Sequence, residues 1–204
     1  MKTINNYIFE KLHISKKIKA ISYPKDKDEL KKLIHQALDE EGADANLNFI
    51  NTSKITDMSW LFAGEDVRDI DVSEWDTSNV TNMEGMFNKC NISDLDLSKW
   101  DVSKVNDFGQ MFDGCVGFNS DVTQWDVSSA IWMNAMFAGC KYFNQDIRKW
   151  NTEKLQDTHF MFANAMSFSY DLSCWKHDNI HNMQNMFTNA YTIIHNKWLP
   201  NWFK

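Results

Sequence analysis

Glycine and proline are scarce in this chain, 7 and 2 among 204 residues, which argues against a sandwich or barrel punctuated by tight turns. No run approaches the roughly 18 apolar residues of a membrane-spanning helix. The opening stretch, MKTINNYIFEKLHISKKIKA, mixes charges throughout and has no apolar core of the kind a secretory leader carries. These absences lead us to expect a soluble, cytoplasmic protein without membrane insertion. H-E-x-x-H, G-x-S-x-G, a phosphate-binding P-loop and G-x-G-x-x-G are all missing, so neither an enzyme nor a cofactor is expected. A basic excess is missing as well. Residues 1–50 carry nine Lys/Arg and eight Asp/Glu, and the remainder carries 12 and 20, a net of −8. Such a body lacks the basic footprint that nucleic-acid binding requires.

What the chain does have is a period. Phe recurs at 62, 87, 112, 137, 162 and 187, and Trp at 75, 100, 125, 150 and 175, each 25 residues from the last. Leu61, Met86, Met111, Met136, Met161 and Met186 precede the Phe column. Ile55, Val80, Val105, Ala130, Leu155 and Ile180 form another apolar column. Six units fill residues 51–200 without an insertion, the signature of a repeat protein.

Within one unit, residues 71–78 are rich in β-branched and aromatic types and predict a short strand. Val80, Met83, Met86, Phe87 and Cys90 follow at i, i+3, i+6, i+7 and i+10, the spacing of one apolar helix face. The expected architecture is therefore an α/β solenoid, a leucine-rich-repeat-like stack of about six coils, each a strand followed by a short helix. One coil cannot bury its apolar face alone, whereas stacked copies can. Residues 1–50 lie outside the period and predict a helical N-terminal cap. Ile8, Phe9, Leu12 and Ile14 suggest one amphipathic stretch. Leu30, Leu33, Ile34, Ala37 and Leu38 mark a second helix over 26–42, begun by Asp26 and Glu29 and stopped by Gly42. The solenoid domain, 51–204, ends in a degenerate unit where Pro200 replaces the expected Trp and Trp198, Trp202 and Phe203 crowd together.

Units such as DVSEWDTSNVTNMEGMF (71–87) and DLSKWDVSKVNDFGQMF (96–112) closely resemble the BspA-like leucine-rich-repeat family of bacteria, their phages and some mycoplasmas. The likeness covers roughly residues 26–200. It implies a short curved solenoid that binds proteins or surfaces, and brings no catalytic residues with it. Many relatives are exported, so the resemblance makes the cell surface the alternative location.

Candidate site residues are the departures from the repeat. Trp132 stands in a column that otherwise reads Asp57, Asn82, Asp107, Asp157 and Asn182; Trp60 and Phe160 stand where siblings are Gly85, Gln110, Ala135 and Asn185. Aromatics at outward positions are candidate partner anchors, although packing against a neighbouring side chain would explain them equally well. Lys99, Lys104, Lys149 and Lys154 could line a basic stripe that steers an acidic partner, or form an ordinary solvated face. Asp71, Asp96, Asp121 and Asp146 are a faint Ca²⁺ candidate, against the commoner role of Asp in capping turns. Cys90, Cys115 and Cys140 share a column with Ala165 and Ala190, as a small buried slot would, and no C-x-x-C pair points to zinc. His177, His181 and His195 fall in the degenerate unit without metal-ligand spacing. The function expected is a non-enzymatic protein-binding module, bacterial or phage-encoded. The alternative is a self-associating structural or adhesion protein that uses its terminal coils.

Overall fold

The computed structural model describes residues 19–203, so the amphipathic stretch expected around Ile8–Ile14 lies outside the described residues. Helix α1, Lys27–Glu41, starts where Asp26 accepts the Glu29 N–H at 2.9 Å. Glu29 in turn accepts the Lys25 N–H at 2.9 Å, so two otherwise orphaned donors are satisfied reciprocally. Gly42, at φ +85°, ends the helix by donating to the Leu38 carbonyl. Leu30, Ile34 and Ala37 are buried in the common core. Lys27 reaches Asp57 at 3.1 Å and His35 lies 3.5 Å from Glu65, so α1 runs alongside residues 57–65 of the first repeat. None of the helices among the described residues is long and apolar enough to cross a membrane.

The repeats are not built as expected. A strand–helix coil is absent. Besides α1, the described residues hold only one short helix, α2, Tyr191–His195, and no sheet. Neighbouring repeats meet in isolated parallel bridges, Asp57 to Asn82, Asn82 to Asp107, and on through Trp132 and Asp157 to Asn182. The expected strand, 71–78, is instead folded by two side-chain turns, in which Asp71 and Asp76 accept the N–H groups of Ser73 and Ser78. The expected helix fails for a backbone reason. Each unit places two residues in the left-handed region, for example Gln110 (φ 56°) and Gly114 (φ 77°), which interrupts the run of right-handed residues an α-helix needs. Alternate N–H groups then point out of the unit. Phe108, Gln110, Phe112 and Gly114 donate to the carbonyls of Trp132, Asn134, Met136 and Ala138 at 2.7–3.0 Å. Between them, Met111, Asp113 and Cys115 close local turns onto Phe108, Gln110 and Phe112. Both sets of donors are satisfied, which a helix would achieve only within itself.

Registered repeats stack identical side chains. Phe62, Phe87, Phe112, Phe137, Phe162 and Phe187 form one file, with ring centroids 5.2–5.9 Å apart. Phe118, Phe143 and Phe168 form a second file, seated 3.8–4.3 Å from the first. The indole N–H groups of Trp75, Trp100, Trp150 and Trp175 each donate to a carbonyl 28 residues earlier. Trp125 is buried without such a partner among the described residues. At the degenerate end Trp202 donates to the Leu172 carbonyl at 3.3 Å, taking the place of the Trp that Pro200 replaces. The thiols of Cys90, Cys115 and Cys140 are free, buried and hydrogen-bonded to the Phe62, Phe87 and Phe112 carbonyls. Burial pushes the Cys90 thiol up to about 12.

Candidate functional site

The side chains that reach the surface of the repeats include the bridging residue and, in several units, the positions two and three residues after it. In four of the six bridging positions the geometry is a strict Asx turn. Asp57, Asn82, Asp107 and Asp157 accept the N–H two residues on, at 2.8–2.9 Å, and Asn182 makes the same contact at 3.4 Å. Trp132 has no oxygen to offer. Its backbone keeps the bridge, donating to Asn106 and accepting from Phe108, but the Asn134 N–H has no backbone acceptor among the described residues. The indole is 42% exposed. A polar residue at 132 would supply a local hydrogen bond worth about 1 kcal/mol; the chain instead carries its largest apolar side chain there, half in water.

Phe160 is a second costly choice. It holds φ 56°, a region that bulky residues avoid, and is 41% exposed. Between the two aromatics lie Asp157, which bridges to Trp132, and His159. The His159 Nδ1 is 2.6 Å from Asp157 Oδ1, and its ring meets Phe160 edge-on at 5.6 Å. Asn182 Nδ2 sits 3.2 Å from the same carboxylate. Trp132, Asp157, His159 and Phe160 thus form one continuous patch.

Trp60 is different. It shares the left-handed position of Phe160, at φ 59°, but its ring lies flat on Gly85 of the next repeat and its Nε1 donates to Glu84 at 3.3 Å. A Cβ at Gly85 would sit 2.5 Å from that ring. Trp60 is therefore a packing residue. Gly85→Ala should destabilise by about 1–3 kcal/mol through overpacking, even though Ala135 holds the equivalent backbone conformation at φ 53°. Trp60→Asn should recover most of that loss in the double variant. A double-mutant cycle from denaturant melts checks it, and additive effects would mean that the ring is not the obstacle.

The remaining candidates are scattered over other faces. Lys99 pairs with Glu74 and Lys104 donates to Asn79 at 2.9 Å, each in the preceding repeat. Lys149 and Lys154 are exposed farther along. The stripe is interleaved with acids, Glu153 pairing with Lys176 at 3.1 Å. Asp71, Asp96, Asp121 and Asp146 each spend one oxygen on the N–H two residues on, at 2.8–3.2 Å. The Arg148 guanidinium bonded to Asp146 holds that carboxyl down to about 2. Among the described residues no three His, Cys, Asp or Glu side chains converge on a possible metal position. One exposed stripe escaped the sequence reading, formed by Val116, Tyr142, Met166 and Tyr191 on the links that follow the Cys/Ala column. Aligning position 116 with 141, 166 and 191 would have found most of it.

A family model described as "Mycoplasma protein of unknown function, DUF285" matches residues 29–131 and again 90–202. No curated protein and no solved structure matches the chain.

Proposed function

Because the chain belongs to this DUF285 family, whose description assigns no activity, we propose that it is a non-enzymatic protein-binding repeat module whose partner seats on the Trp132–Phe160 patch. The observation that carries the reading is Trp132, where one unit gives up an Asx turn its siblings keep in order to expose an indole. Exposed Trp is among the residue types that dominate binding energy at interfaces. The finer assignment, to BspA-like repeats, rests on the units at 71–87 and 96–112. A cytoplasmic setting fits four cysteines that are all free, and the cell surface is the alternative. The test is capture from cell lysate on immobilised wild type beside Trp132→Asn/Phe160→Asn. A protein held by the first and not by the second supports the reading; equal capture by both rejects it.

Self-association is the second reading. The N–H groups of Met183, Asn185, Phe187 and Asn189, whose counterparts in earlier repeats donate across, have no backbone acceptor among the described residues. Trp198 and Tyr191 are exposed nearby. Such an unpaired edge invites another chain. A mass that rises with concentration in light scattering supports it, and a monomer throughout removes it.

A further inference from the structure

The outward rows on either side of Trp132 hold Asp57, Glu84, Asp107 and Asp157 and contain no Lys or Arg. Lys27, reaching over from α1, pairs with Asp57 alone. Among the described residues, His159 is the one ionisable base that pairs with Asp157, and Glu84 and Asp107 have no cationic partner. This distinguishes the patch from the Asp71–Asp171 column, where Lys99 pairs with the adjacent Glu74 and Arg148 pairs with Asp146. On an acidic body, the patch is the place where negative charge is left uncompensated next to exposed aromatic faces.

We propose that the partner of this face is a cationic polypeptide segment, rich in arginine or lysine, whose charged heads meet Glu84, Asp107 and Asp157 and whose stems and guanidinium planes lie over Trp132 and Phe160. The inference rests on the binding reading above and adds the chemistry of the partner. Cations are drawn to the faces of Trp and Phe as well as to carboxylates, so both halves of the patch select the same ligand. The Asx turn occupies one oxygen of Asp107, toward the Gly109 N–H, and leaves the other available. Burial, and then the nearby Glu84 charge, hold the Asp107 carboxyl above its usual range despite that bond. A bound cation would relieve the repulsion between Glu84 and Asp107. An acidic partner, the one the Lys stripe would steer, meets repulsion here.

The repeat itself supplies harmless test substitutions. Asn82 and Asn182 stand in the column of Asp107, Gln184 in that of Glu84, and Asn51 and Asn151 in that of Asp101 and Asp126. Hexa-arginine amide, a defined cationic probe, is titrated calorimetrically at low ionic strength, about 20 mM, where screening is weak. The proteins are wild type, Glu84→Gln/Asp107→Asn, Trp132→Asn, and the equally charged control Asp101→Asn/Asp126→Asn. We expect saturable binding to wild type. The Glu84/Asp107 pair and Trp132→Asn should each weaken it tenfold or more, and the control pair less than twofold. No binding to wild type, or equal losses in both carboxylate pairs, overturns the cationic assignment. The same variants in lysate capture separate the two ideas. Capture lost with Trp132→Asn but kept with Glu84→Gln/Asp107→Asn leaves a binding face whose partner is not cationic. Capture unaffected by Trp132→Asn removes the face itself.

Discussion

Replacing Phe112 with alanine lowers the unfolding free energy by about 3–5 kcal/mol, the range for deleting a buried aromatic ring from a close-packed core. Phe112 is 0% exposed and touches both aromatic files, with Phe87 and Phe137 at 5.6 and 5.9 Å and Phe118 at 3.8 Å. Its removal opens a void in the middle of the stack, and the neighbouring rings cannot collapse into it. Their backbones are held to the next repeat through the Phe87-to-Met111, Phe112-to-Met136 and Phe137-to-Met161 bonds. Domains of this size are stable by roughly 5–15 kcal/mol, so one ring is a large share. The same change at Phe187 should cost less, because only one repeat neighbour, Phe162, stacks on it and the other side meets Phe203 edge-on at 5.1 Å. Denaturant melts of Phe112→Ala and Phe187→Ala give the comparison. A smaller loss at 112 than at 187 would contradict the continuous file.

The second large effect concerns binding with little change in stability. Trp132→Asn/Phe160→Asn should weaken binding of the captured partner by about thirtyfold or more, since an interface anchor contributes on the order of 2 kcal/mol. The thermal midpoint should stay within about 4 °C, a shift equivalent to roughly 1 kcal/mol. Two opposing terms explain the small shift. Each substitution gives up partial burial of an aromatic ring. In exchange, the asparagine introduced at position 132 can cap the Asn134 N–H as its column siblings cap theirs. Asparagine also relaxes the left-handed backbone at 160, as Asn185 does at φ 57°. Residues that weaken local structure while raising affinity are the usual footprint of a functional surface. Isothermal titration beside a melt reads both quantities. A collapsed melt would place the two rings in the core.

The period and the core were legible because registration is exact over six units: every Phe, Met and Trp of the main columns from 61 to 175 that was read as inward is buried. The α1 boundaries were legible from Asp26, Glu29 and Gly42, whose side chain and φ act locally. The backbone of the unit was not. Apolar residues at i, i+3, i+6, i+7 and i+10 suit a chain of turns as well as a helix, and burial alone cannot tell them apart. The discriminating signal was present in a different column. Gly64, Lys89, Gly114, Gly139, Asn164 and Asn189 share one position and all hold positive φ, and a position filled by Gly or Asn in five of six units asks for the left-handed region. Trp132 could be singled out because it breaks a column of Asp and Asn. Trp60 could not be assigned, because its fate depends on the missing side chain of Gly85, 25 residues away.

The Trp132–Phe160 face is described on a turn-built backbone, with Trp132 bridged to Asp157 and Phe160 at φ 56°. In a helix, the N–H groups of residues 112 and 160 would bond within their own unit, and the neighbouring repeats would share no backbone bonds there. The most direct measurement is therefore the set of scalar couplings across hydrogen bonds in the isotope-labelled protein. Coupling from the Phe112 nitrogen to the Met136 carbonyl carbon, and from Phe160 to Gln184, is the predicted result, with a positive φ at Phe160. Couplings from these nitrogens to carbonyls four residues earlier, with negative φ at 110, 135 and 160, would contradict it.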